Sequence, residues 1–170
     1  MIERIDVWTA GTIGPTNPGG MIGWGLVICR NGKEVHSSNG TREAAANNTN
    51  VLAEYVAVCG ALAWILTNDL AHHQNRFFTG NFIVARQMNG HWKVKEKGSP
   101  VGKIAEVARL MAMDFRDLSF TWTDRDDRRA DYLSKILLKQ AGIPVYEDPR
   151  MIKEEVHREK RKTIGNSGNA

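Results

Sequence analysis

Apolar and polar positions along the chain change period several times, and each change marks an element. Residues 4–9 are apolar and β-branched, as a core strand requires, and Gly11 to Gly20 reads as a loop rich in Gly, Pro, Thr and Asn. Met21 to Cys29 reads as a second strand, with Gly23 and Gly25 allowing a neighbour to approach closely. Arg30-Asn31-Gly32-Lys33 is a hairpin turn, because Asn-Gly supplies the positive φ of a two-residue connection. Glu34 to Ser38 is then an antiparallel third strand, followed by a polar loop over 41–48. From a cap at Thr49 or Asn50, the residues Val51, Leu52, Tyr55, Val56, Cys59, Leu62, Ala63 and Leu66 recur at helical spacing, so this helix should pack on the sheet.

The second half alternates. Arg76 to Thr79 predicts a strand, Gly80-Asn81 a turn and Phe82 to Met88 a short helix. Asn89 to Lys103 is polar and basic. Ser99-Pro100 starts a helix to about Met113, with Ile104, Val107, Leu110 and Met111 on one face. Leu118 to Thr123 alternates as a strand, and Asp126 to Gln140 predicts a helix with Ala130, Leu133, Ile136 and Leu137 inward. The order β-β-β-α-β-α-α-β-α implies an α/β fold, a five-stranded mixed sheet flanked by helices. One domain over 1–148 is expected, with a charged extension over 149–170: a solvated helix to about Lys162, then a disordered Gly/Asn/Ser-rich end.

Composition narrows the class without naming a function. A 170-residue chain with 42% hydrophobic and 25% charged residues can bury one full core. The net charge of +4 and pI near 9.2 suit a phosphate-bearing partner without requiring one. Cys29 and Cys59 sit in apolar stretches and read as reduced thiols, which places the chain in the cytoplasm. No apolar run is expected to reach membrane-spanning length, and no signal-peptide pattern or internal repeat is present. His36, His72, His73, His91 and His157 form no metal-like spacing.

Four motifs in order carry a resemblance. They are Thr9-Ala10-Gly11-Thr12 with Asn17-Pro18-Gly19, then Thr49-Asn50-Val51 ahead of Glu54. Thr79-Gly80-Asn81 follows, leading to Gln87 and Gly90, and last comes Asp127-Arg128-Arg129-Ala130-Asp131-Tyr132-Leu133. Over residues 4–140 the chain resembles the type 1 ribonuclease H family, whose motifs read Thr-Asp-Gly-Ser with Asn-Pro-Gly, Thr-Asn-Asn with a helix Glu, Asp-Ser, and Asn-x-x-Ala-Asp-x-Leu. The resemblance implies a ribonuclease H-like fold, an endonuclease acting on the RNA strand of RNA–DNA hybrids, and Mg²⁺ or Mn²⁺ as cofactor.

The same resemblance exposes a departure. Two-metal phosphodiester hydrolysis needs several carboxylates around ions about 3.5–4 Å apart. The four family positions are Ala10, Glu54, Gly80 and Asp131 here, so two lack a ligand atom and the metal-bridging Asp is one of them. Asp6 lies about 13 Å away along the same strand and should not substitute. Asp127, one turn before Asp131, gives a weak single-metal alternative with Glu54 and Asp131. Otherwise the acids here, with Asp124 and Asp126, form surface pairs with Arg125, Arg128 and Arg129.

The binding residues are better kept. The resemblance carries over Asn17, Thr49 and Asn50 as contacts to the nucleic-acid backbone, with Thr49 and Asn50 also able to cap the helix. Trp92, Lys93, Lys95 and Lys97 resemble the basic handle that grips the DNA strand; a solvated loop is the other reading. The expected function is a hybrid-binding ribonuclease H-like protein with lost or very weak catalysis. The alternative is a pseudo-nuclease serving as a protein-interaction module.

Overall fold

The computed structural model describes residues 1–123 and 128–145. Its elements run β1 (Arg4–Gly14), β2 (Met21–Arg30), β3 (Lys33–Arg42), α1 (Asn50–Thr67), β4 (Gln74–Thr79), α2 (Phe82–Met88), α3 (Pro100–Ala112), β5 (Asp117–Trp122) and α4 (Arg128–Gln140). The expected order holds. The proposed division at 148/149, the tail and Asp127 lie outside the described residues.

One sheet has the order β3-β2-β1-β4-β5. The β1–β2 and β2–β3 pairs are antiparallel, whereas β1–β4 and β4–β5 are parallel. The β2–β3 hairpin turns through Asn31 at φ 50° and Gly32 at φ 82°, the positive values expected of Asn-Gly. The first three strands are longer than their apolar cores suggest. β1 continues past Ala10 because each residue to Gly14 finds a partner on β2, the last pair being Gly14 with Met21. β3 likewise runs on to Arg42, opposite Ile22.

Cross-strand register assigns the faces. Thr9, Gly11, Leu26 and Trp24 share the face covered by α1, while Ala10, Thr12, Gly25 and Gly23 share the face covered by α4. At Gly11 a Cβ would lie 2.2 Å from the Glu54 amide nitrogen, so the strand passes α1 at a distance only glycine permits. At Gly23 and Gly25 a Cβ would meet the backbone of α4, with Ser134 O at 2.0 Å and Ala130 O at 2.5 Å. The close approach predicted for these two glycines is therefore to α4.

That approach corrects the expected inward face of α4. Ala130, Ser134 and Leu138 are fully buried, while Leu133, Ile136 and Leu137 are half-buried. Ala130 and Ser134 lie where the helix backbone comes closest to the glycines, and Leu133 and Leu138 reach the same strand with their side chains. The same correction applies to α3, where Gly102, Ala105 and Ala108 are buried, Ile104 and Met111 only partly, and Val107 and Leu110 are exposed.

The core lies between the sheet and α1, built from Ile5, Val7, Leu26, Ile28, Tyr55, Val58, Leu62, Ile65 and Phe77. Burying a large apolar side chain contributes about 1.5–3 kcal/mol, which is why α1 is apolar nearly all round. It is in fact long and apolar enough to cross a membrane by length and composition, contrary to expectation. Here it is a core helix, covered by the sheet on one side and by α3 on another. On the outer edge, the Asn89 side chain accepts from Phe120 N–H at 3.2 Å and donates to Phe120 O at 2.7 Å, pairing with β5 as a strand would.

Candidate functional site: the ends of β1 and β4

The parallel pairing of β1 with β4 ends at Thr9 beside Thr79, where β4 stops and β1 runs on, and α1 brings one carboxylate to that point. Glu54 Oε1 accepts hydrogen bonds from Thr9 Oγ1 at 2.7 Å and from Thr79 Oγ1 at 2.6 Å. Its Oε2 accepts the Gly11 N–H at 2.8 Å. Thr79 Oγ1 in turn accepts from the Asn81 amide at 3.1 Å, and Asn81 caps α2. The side chain thus ties together the ends of β1 and β4 and, through Thr79, the start of α2.

Glu54 is 3% exposed. Burial disfavours its charge and outweighs the three donors, and Asp131 adds a repulsive charge, so its pKa rises from 4.5 to about 7. Asp131 sits in the first turn of α4, where its Oδ2 meets Lys135 Nζ at 2.8 Å. Arg129 bonds Glu34 and Ser37 of β3, at 2.8 Å and 3.2 Å, while Arg125, the Arg128 side chain, Asp124, Asp126 and Asp127 lie outside the described residues.

Ala10, on the α4 face beside Gly11, and Gly80, exposed after Thr79, flank this centre. All four family positions therefore converge on one end of the sheet. Metal ligation is another matter. Among the described residues no group of three His, Cys, Asp or Glu side chains is placed to hold a metal ion. Glu54 meets three neutral donors with its two oxygens, and Asp131 is salt-bridged to Lys135. Asp6 is engaged elsewhere, between Arg4 at 2.9 Å and Arg76 at 2.7 Å.

The candidate binding residues fall in two groups. Asn17 is half-buried in the loop between β1 and β2. Thr49 is the N-cap of α1, its hydroxyl accepting from Leu52 N–H at 3.1 Å, and Asn50 is exposed in the first turn. The two loops are held together by Asn48, which sequence reasoning passed over. It is buried, its side chain donates to Gly20 O at 2.9 Å and Glu43 O at 2.8 Å, and its carbonyl accepts Gly19 N–H at 3.0 Å.

Trp92, Lys93, Lys95 and Lys97 lie exposed in the connection between α2 and α3. Trp92 makes an edge contact with Phe82 at the start of α2, centroids 5.4 Å apart. Thr9 and Thr79 stand in the motifs without an assigned role, and Phe82 and Trp122 stand in none. Their roles depend on strand pairing, which no local motif announces.

The sheet order, the mixed pairing and the carboxylate between the β1 and β4 ends define a ribonuclease H-like domain. A family model described as reverse transcriptase-like matches residues 13–136, and the chain belongs to that family. Among solved structures it is similar to RNase H1 from the halophilic archaeon Halobacterium salinarum NRC-1, at 24% identity and TM-score 0.68, covering 81% of this chain and 98% of that one. It is also similar to LC11-RNase H1, isolated from compost by a metagenomic approach, at 26% identity and TM-score 0.69, covering 81% and 97%. The LC11-RNase H1 structure in complex with RNA/DNA hybrid matches at 28% identity and TM-score 0.65, covering 81% and 98%. No curated protein matches significantly.

Proposed function

We propose that this domain binds RNA–DNA hybrid or a related nucleic acid through the ribonuclease H scaffold and does not cleave it. The observation that carries the reading is the Glu54 clasp: the family's helix carboxylate bonds Thr9, Thr79 and Gly11, with Ala10 and Gly80 beside it. A methyl group and a hydrogen offer no oxygen to a hard divalent cation. Of the four family positions, only Glu54 and Asp131 then offer oxygen to Mg²⁺ or Mn²⁺. Relatedness to a hybrid-bound enzyme supports the partner, as do the exposed lysines and the Asn48-braced loops.

The test is cleavage of a labelled RNA–DNA hybrid with Mg²⁺ or Mn²⁺. The protein as it stands should bind and leave the RNA intact, and Ala10→Asp with Gly80→Asp should introduce cutting. Metal-dependent cleavage by the unaltered protein would refute the proposal. A protein-interaction role has one observation in its favour: Val107, Leu110 and Met113 form an exposed apolar stripe along and just beyond α3. Co-purification of one specific partner without nucleic acid would favour it.

A further inference from the structure

We propose that the cleft between α2 and β5 receives an unpaired nucleobase, so that the bound nucleic acid is single-stranded where it crosses this part of the domain. The inference rests on the nucleic-acid reading above and names the strand state that the reading leaves open.

Three rings meet here. Phe82 stands nearly perpendicular to Trp92 and to Trp122, at 85° and 86°, with centroids 5.4 Å and 5.6 Å apart. After making these contacts they are still 38%, 47% and 46% exposed. Contiguous aromatic surface of this kind on a soluble domain marks a recognition site more often than chance. The rings are not alone: the Arg86 guanidinium lies 4.9 Å from the Phe82 centroid and its Nη1 is 3.3 Å from His91 Nδ1. Exposed Lys93, Lys95 and Lys97 follow directly on Trp92.

Ring surface beside fixed cations matches the two halves of a nucleotide, base and phosphate. An apolar peptide would use the rings and leave the cations without a counterpart. A duplex would use the cations and leave the rings idle, because its base faces are already stacked on one another. The open cleft lined by Phe82, Arg86, His91, Thr121 and Trp122 has a volume of about 250 Å³ and faces solvent, so a group that stacks on its rings can reach it. Trp122 pairs with Thr79, so the cleft opens one strand away from the Glu54 clasp and along the same sheet end.

The experiment measures anisotropy of a labelled oligothymidylate, and of a blunt RNA–DNA hybrid of equal length, across a salt series. Phe82→Ala and Trp122→Ala should each weaken single-strand binding about tenfold. The salt slope should stay unchanged, since no cation is removed, and hybrid affinity should hold. A parallel measurement needs no variant: an oligonucleotide carrying 5-bromouracil, irradiated with the unaltered protein, should crosslink to the peptides bearing Phe82, Trp92 or Trp122.

Crosslinks confined to other peptides, or equal losses for hybrid and single strand in the folded variants, overturn the inference. Binding of hybrid without single strand overturns it alone. Binding of neither overturns the proposed function with it.

Discussion

Replacing Glu54 by glutamine should remove a specific pH dependence from the stability of this domain. The carboxyl has an ordinary pKa of 4.5 and reaches about 7 in the fold. Between these values the folded state holds a proton that the unfolded chain has released. Unfolding free energy therefore falls as pH rises through that window. The stabilisation is complete below 4.5 and lost above about 7. A difference of about 2.5 units at 1.36 kcal/mol each gives about 3 kcal/mol, applicable because the group is 3% exposed. Glutamine keeps the geometry: its oxygen accepts from Gly11 N–H and its amide donates to Thr9 and Thr79. It carries no charge at any pH. The two threonine hydroxyls must find new acceptors, at about 1 kcal/mol each, so the variant should gain about 1 kcal/mol at mildly alkaline pH. The assay is urea denaturation of both proteins over a pH series, taking their difference at each pH so that other titrating groups cancel. A difference that stays constant with pH would refute the reasoning, as would a variant less stable than the parent in alkali.

Other outcomes follow from the same contacts. Asn48→Ala should cost about 1–3 kcal/mol, since Gly20 O and Glu43 O lose their donor, and circular-dichroism melting would read it. The same variant should weaken nucleic-acid binding, because the loop bearing Asn17 is no longer fixed to the start of α1. Gly11→Ala places a Cβ 2.2 Å from the Glu54 nitrogen and should cost about 3 kcal/mol or more; chemical denaturation measures it. Replacing Lys93, Lys95 and Lys97 together by alanine should lower the slope of log affinity against log salt by about 2–3, seen in a salt titration of hybrid binding.

The element order, the hairpin and the helix caps were legible because each is written locally. Asn31-Gly32 dictates its turn, and Thr49 and Ser99 cap helices from their own side chains. What the chain does not write locally is what touches what. β1 looks finished at Ala10 until β2 is seen alongside it as far as Gly14. Leu133 and Leu137 outrank Ser134 by hydropathy, yet Ser134 is the residue under Gly23, because backbone proximity selects for small size. The site shows the same division. Glu54 stood out by motif and spacing, whereas its partners Thr9 and Thr79 lie 45 and 25 residues away in sequence. Trp122 and Phe82 became a pair only when β5 took its place at the edge of the sheet.

Asn89 gives the two margins of the sheet different fates. Its amide presents to Phe120 the donor and acceptor of a peptide group, so a strand arriving there finds that residue already satisfied. The plug is a side chain of finite length, and it ends the ladder instead of extending it. At Phe120, contact with the outer edge of β5 is thereby left to side chains. In a crowded solution, this works against edge-to-edge strand pairing on the margin that carries the exposed Trp122.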